Sequence, residues 1–196
     1  MTNNPNHPKK GSSTRVDPII SRKDIASLKK LLDDSPRDLA LFVVGINTNL
    51  RAVDLVQLRV DQFVDAKVGD ELVLKESKTG KQRRITINNA VLQTVKPWAI
   101  QCRDMEQKYL FTGRDGAPMA PNYVNKLVKK WCEKINLKGN YGSHSLRKTF
   151  GYQQRVVHNV SVAQLMEVFN HSSPKQTLDY LCIQPEEIRN IYMNEI

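Results

Sequence analysis

Six residues of this chain carry side chains that, acting together, suit the transfer of a phosphoryl group: Arg51, Lys78, His144, Arg147, His171 and Tyr180. A tyrosine phenol is a nucleophile that forms a phosphodiester and departs again as phenolate, so a strand cleaved this way keeps its bond energy. The pentacovalent transition state of such a displacement spreads extra negative charge over the nonbridging oxygens. Two guanidiniums, Arg51 and Arg147, clamp those oxygens bidentately, which a lysine point charge does less well. Imidazoles titrate near neutrality, so His144 and His171 suit proton transfer and hydrogen bonding to an oxyanion. With arginines supplying the charge, the chemistry requires no metal, and no cofactor is expected. Singly, each residue has an ordinary explanation: a lone Arg is usually a surface ion pair, and a Tyr on a terminal helix is usually core or rim. Their order sets them apart: Arg, then Lys, then His-x-x-Arg, then His, then Tyr nine positions on.

Helices and one hairpin have to position these groups. Residues 1–16 carry Lys9, Lys10 and Arg15 among Asn and Pro residues and no acid, and the stretch 1–20 reads as a flexible basic arm. Ser21, with Asp24 three residues on, is placed to cap a helix whose apolar stripe is Ile25, Leu28, Leu31 and Leu32. Ser35-Pro36 opens a second helix, and its nearly continuous apolar run from Leu39 to Ile46 marks it as buried. Thr48-Asn49 breaks that helix just ahead of Arg51, and a short helix is expected over 52–58. Strands around 71–74 and 84–87 flank Ser77-Lys78-Thr79-Gly80, which puts Lys78 at a hairpin tip. Helical patterns return over 90–105 and 122–135. The second of these sets Val124, Leu127, Val128, Trp131 and Ile135 on one face and Lys126, Lys130 and Lys134 on another. His144 and Arg147 stand one helical turn apart and so share a direction. Ser161 with Gln164, and Ser173-Pro174-Lys175-Gln176, read as capping boxes that open the last two helices, the second carrying Tyr180. The fold expected is one mainly α domain over residues 21–182 with a small antiparallel β-sheet (α+β), followed by an apolar tail over 183–196.

Thirty Lys and Arg against twenty Asp and Glu give a formal charge of +10. Such an excess usually signals a polyanionic partner, most often nucleic acid, because each neutralised phosphate releases condensed counterions. The plain alternative is basicity for solubility alone. Candidate DNA contacts are Lys81, Arg83, Lys126, Lys129, Lys130 and Lys134. The composition, 40% hydrophobic and 26% charged, excludes wholesale disorder and collagen. The run from Leu39 to Ile46 is far short of the roughly 20 apolar residues a bilayer span needs, and the first residues carry no apolar leader. A cytoplasmic protein with no membrane partner is therefore expected. Cys102, Cys132 and Cys182, an odd count without a CxxC pair, make neither a disulfide framework nor a zinc site.

The ordered set and its neighbouring text resemble the tyrosine recombinases, the lambda-integrase family. NLRAVDLVQLRVDQF (49–63) is similar to the family's first arginine box, SKTGKQRRITI (77–87) to its lysine hairpin, and YLFTGRDGAPMAPNYVNKLVKKW (109–131) to the stretch leading into HSLRKTF. The resemblance spans about residues 20–185, the family's catalytic domain. It implies a site-specific DNA recombinase in which Tyr180 forms a 3′-phosphotyrosyl bond and Lys78 protonates the departing 5′-oxygen. It also implies double-stranded DNA as partner, a tetramer on DNA with the tail exchanged between protomers, accessory DNA-bending proteins, and a prokaryotic, nucleoid-associated setting. With about twenty residues ahead of the catalytic domain, the chain is similar to short catalytic-domain-only members such as the fimbrial-type invertases, to a free-standing integrase remnant, or equally to a piece of a longer protein. Four positions depart from the pattern: Asn49 stands where the family usually has Gly, Phe169-Asn170 where it usually has Leu-Gly, and Cys182 where a histidine often follows the nucleophile. A DNA-binding regulator that keeps the fold with weak or no strand transfer is the second reading. Asp54 reads as an ion-pair or orienting partner, Tyr192 as a rival nucleophile at the wrong distance from His171, and His7 and His158 as surface residues.

Overall fold

In the computed structural model, residues 16–195 are described apart from Thr79, Ser172 and the side chain of Asp179, so most of the expected basic arm lies outside the described residues. The end of that arm is docked. Ile19 is buried and donates its backbone N–H to Thr149 Oγ1 at 2.8 Å, and Lys148 Nζ donates to the Val16 carbonyl at 2.9 Å. Helix α1 (Arg22–Leu31) starts where the Ser21 hydroxyl accepts the Asp24 N–H at 3.3 Å. Helix α2 (Pro36–Thr48) begins with its proline in the first turn and buries Ala40, Leu41, Phe42, Val43 and Val44. Asn49, in the left-handed conformation at φ 55°, stops it.

The expected helix over 52–58 is cut to α3 (Ala52–Leu55), because Leu58 accepts from the Leu110 N–H at 2.9 Å and Val60 donates to the Lys108 carbonyl at 3.0 Å. Pairing with a distant segment outweighs continuing the helix. Strands β1 (Glu71–Lys75) and β2 (Gln82–Thr86) form an antiparallel pair in the register Leu72 opposite Ile85 and Leu74 opposite Arg83. A lone hairpin is marginal in water; Leu72 and Ile87 bury against the helical core and hold this one.

Helices α4 (Asn89–Asp104), α5 (Pro121–Lys134) and α6 (Ser143–Val156) complete the main body. Helix α2 runs through it, packed by α4 and α6, with Phe42 edge-on to Trp131 of α5 at 6.2 Å. At Gly45 an added Cβ would stand 2.6 Å from Leu146 Cδ1, so the missing side chain is what lets α2 and α6 close. Helices α7 (Val162–Phe169) and α8 (Pro174–Leu181) form a second, smaller unit whose buried apolar residues are Leu165, Phe169 and Leu181, with Phe150 of α6 beside them. The Ser161–Gln164 capping box forms, but Ser173 makes no capping bond; α8 starts on Pro174, whose fixed φ suits a first turn. Helix α9 (Pro185–Tyr192) has no buried residue, and Arg155 grips Glu187 on it through both guanidinium nitrogens. The molecule is mainly helical with one two-stranded sheet, as the residue patterns require. Among the described residues no helix is long and apolar enough to cross a membrane.

Candidate active site

Arg51 comes straight after the left-handed stop at Asn49 and precedes α3, so its side chain leaves the end of the buried helix. Its Nη1 donates to Glu76 Oε2 at 2.9 Å, and the other oxygen of Glu76 receives Arg83 Nη1 at 2.9 Å. Glu76 is 1% exposed, a carboxylate sandwiched between two guanidiniums behind the site. Arg83 was expected to face DNA. It is buried instead, with Nη2 on the Val168 carbonyl at 2.8 Å, because the last carbonyls of α7 need donors and a cation suits that helix end. Among the described residues Asp54 makes no ion pair; it accepts the Ser77 N–H at 2.8 Å and so fixes the base of the hairpin turn that carries Lys78.

Arg147 lies on the first turns of α6 and is 1% exposed. Nη1 donates to the Asn49 carbonyl at 2.6 Å and Nη2 to the Phe169 carbonyl at 2.9 Å, so one side chain joins the ends of α2 and α7. Those ends explain two departures from the family pattern. Asn49 and Asn170 both sit at positive φ, 55° and 54°, and asparagine tolerates the left-handed conformation better than other side-chain-bearing residues. Cys182, at φ 48°, closes α8 in the same way.

Beyond Asn170 the chain delivers His171. Its ring stacks on Phe169 at 5.1 Å, with Nε2 3.5 Å from Arg147 Nη2 and Nδ1 3.0 Å from Thr177 Oγ1. Tyr180 places its hydroxyl 3.3 Å from His144 Nδ1, and the Arg147 guanidinium lies 5.4 Å from the centre of its ring. Arg51, Lys78, His144, His171 and Tyr180 line one cleft of about 530 Å³, with Ser143, Gln176 and Asn122 also on its wall and Arg147 buried beneath. Burial first, then Arg147, holds the His144 imidazole below its usual range, and the same two causes pull His171 down to about 4. Both rings are therefore neutral at pH 7. Arg51, Lys78, Arg83 and Arg147 against Glu76 and Asp54 leave the region net positive, the balance a phosphodiester needs.

The six expected residues are thus brought together. Lys81, Lys126, Lys129, Lys130 and Lys134 are exposed, and α5, which carries the last four, begins at the cleft with Pro121 and Asn122. Tyr192 is 84% exposed and outside the cleft, and His158 is exposed; His7 lies outside the described residues. Sequence reasoning missed Glu76 and Thr177. The spacing of Glu76, two before Lys78, carried no signal of two arginines reaching for it.

The phage integrase family model matches residues 19–187. The chain is 35% identical over 182 residues to a probable integrase/recombinase, YoeC, of Bacillus subtilis strain 168, covering 90% of this chain and 95% of that one. It is 29% identical over 171 residues to the tyrosine recombinase XerC of Caldanaerobacter subterraneus subsp. tengcongensis, covering 82% of this chain and 47% of that one. The crystal structure of XerA recombinase superposes with a TM-score of 0.76 over 95% of this chain and 66% of that chain, at 16% identity. The XerH site-specific recombinase bound to palindromic difH substrate, a post-cleavage complex, gives 0.75 over 92% and 53%, also at 16% identity. At that identity the two structures speak for the fold. The chain belongs to the phage integrase family, and its enzyme class is the site-specific tyrosine recombinase.

Proposed function

We propose that this chain cleaves and rejoins double-stranded DNA with Tyr180 as nucleophile. The phenolic oxygen attacks the scissile phosphorus, a 3′-phosphotyrosyl bond forms, and the bond to the 5′-oxygen breaks. Attack by a 5′-hydroxyl of the partner strand reverses the step and releases Tyr180. His144, neutral and 3.3 Å from the phenol, takes its proton. Arg51 and Arg147 meet the charge on the nonbridging oxygens, His171 hydrogen-bonds to it, and Lys78 at the hairpin tip protonates the leaving 5′-oxygen. The observation that carries this reading is the meeting of Arg51, Lys78, His144, His171 and Tyr180 in one cleft above Arg147, from five separate segments of the chain.

Exposed lysines of α5 track the phosphates beside the cleft, while residues 183–196 join neighbours in a DNA-bound tetramer. The exposure of Ile188, Ile191, Tyr192 and Met193 supports the second point. A recognition site is recovered by covalent capture from a randomised duplex library, then presented as a nicked suicide substrate. Wild type should give an adduct on a denaturing gel, with or without EDTA, and Tyr180→Phe none. An adduct that survives in the Phe variant refutes the nucleophile. Specific binding without any adduct in the wild type would favour the regulator reading.

A further inference from the structure

Thr177 is fully buried on α8, one turn ahead of Tyr180. Its Oγ1 lies 3.0 Å from His171 Nδ1 on one edge of the ring, and Arg147 Nη2 lies 3.5 Å from Nε2 on the other. Among the described residues the buried Thr177 hydroxyl has no other acceptor, so it has to donate to Nδ1. Arg147 Nη2 already donates to the Phe169 carbonyl at 2.9 Å and meets Nε2 only at the outer edge of hydrogen-bond reach. In a neutral imidazole the proton then sits on Nε2, the N–H that the proposed hydrogen bond to a nonbridging oxygen requires. Stacking on Phe169 fixes the plane of the ring but is indifferent to which nitrogen carries the proton. Burial, then Arg147, pulls His171 down to about 4, which keeps the ring in the neutral form this argument uses.

We infer that Thr177 is a positioning residue: its hydroxyl sets the tautomer and edge-on orientation of His171 and ties both to the seating of the helix that carries the nucleophile. The inference rests on the reading of His171 as part of the reaction. Thr177 and Tyr180 share α8, so one docking event brings the phenol to His144 and the hydroxyl to His171. An unseated α8 leaves His171 Nδ1 without its donor as well as leaving the cleft without a nucleophile.

Full-length protein with ¹⁵N-labelled histidine provides the first readout. In wild type His171 should show a protonated Nε2 and a bare Nδ1. Thr177→Val, equal in shape but without the hydroxyl, should lose that preference, and Thr177→Ser should restore it. Single-turnover cleavage of the captured-site duplex should fall by about tenfold or more in Thr177→Val and recover in Thr177→Ser, a part of the roughly 10²–10⁴ a positioned acid–base group contributes. Thr177→Ala, smaller and also without a hydroxyl, stands in should the valine variant misfold. In a His171→Ala background, Thr177→Val should slow cleavage no further. A wild-type tautomer in Thr177→Val overturns the inference. So does an equal slowing by Thr177→Val in the His171→Ala background, which would mean that Thr177 merely seats α8. A His171→Ala protein that cleaves like wild type refutes the role of His171 itself, and the inference falls with it; a slow His171→Ala with additive losses refutes the inference alone.

Discussion

The proposed charge clamp and the proposed nucleophile are held by regions of different kinds. Around α2 the main body buries about thirty apolar residues in one continuous cluster, and Arg51 leaves the end of α2 while Arg147 comes from α6 packed against it. The α7–α8 unit, which delivers His171 and Tyr180, has Leu165, Phe169 and Leu181 as its buried apolar set. Hydrophobic stabilisation scales with apolar area removed from water, so the second region opens at a smaller free energy than the first. Polar ties make up part of the difference: Arg147, Arg83 and Asn49 all donate to the last carbonyls of α7. Arg147, one of the two guanidiniums proposed to meet the phosphate, is therefore also one of the groups that seat the nucleophile's neighbourhood. Rigid charge and a more easily moved phenol are thus combined in one site.

The sharpest way to break this comparison is a matched pair of truncations. Phe42→Ala in the main core should cost about 3–5 kcal/mol and lower the melting temperature of the whole domain. Phe169→Ala should lower that temperature less and instead raise hydrogen exchange across α7 and α8, with loss of adduct formation. Equal protection of α2 and α8 amides in the wild type would remove the distinction.

Next in size is the clamp. Arg51→Ala or Arg147→Ala should slow single-turnover cleavage on the order of 10²–10³-fold, the usual cost of one lost oxyanion donor. DNA binding should change far less. Arg147→Ala should in addition loosen α7, since its guanidinium bonds the Phe169 carbonyl, whereas Arg51→Ala should not. Cleavage within a few-fold of wild type in both would refute the clamp.

Acid should act on the smaller region. Burial and Arg147 lower His171 from 6.5 to about 4, so below 6.5 the unfolded segment binds a proton that the folded one refuses. The stabilisation is full above about 6.5 and is lost as pH falls from there toward 4. Exchange at α7 and α8 should rise over that window before exchange at α2 does, and His171→Gln should flatten the response. A pH-independent α8 would count against the buried neutral ring.

The smallest effect belongs to the exposed side of the main body. Lys130→Ala should lower the slope of log K against log salt by about one and leave the cleavage rate of bound DNA unchanged. A slope equal to wild type would take Lys130 off the phosphate track.

Much of the site was legible because its groups are local signals. Ser21 and Ser161 cap their helices with side chains a few residues away, and the Lys78 hairpin follows from two β-rich runs around Ser77-Lys78-Thr79-Gly80. The order Arg51, Lys78, His144, Arg147, His171, Tyr180 is itself a one-dimensional fact. The inward turn of Arg83 was not legible, for a strand residue beside Lys81 and Arg84 has nothing in its own neighbourhood to say which basic side chain meets α7. Asn49 and Asn170 read as departures until their positive φ showed them in a glycine's conformation.

The amino-acid order by itself determined the class of chemistry, the helical elements and the identity of the residues that meet in the cleft, since these rest on side-chain type and short-range spacing. Only the tertiary structure decided which carboxylate holds Arg51, which carbonyls Arg147 joins and which hydroxyl faces His171. Those partners lie 25, 98 and 6 positions away in the respective hydrogen bonds, Glu76, the Asn49 carbonyl and Thr177. Burial is the physical reason: removed from water, each charged or polar group has to find a partner in whatever segment packing brings to it, and no local pattern encodes that choice.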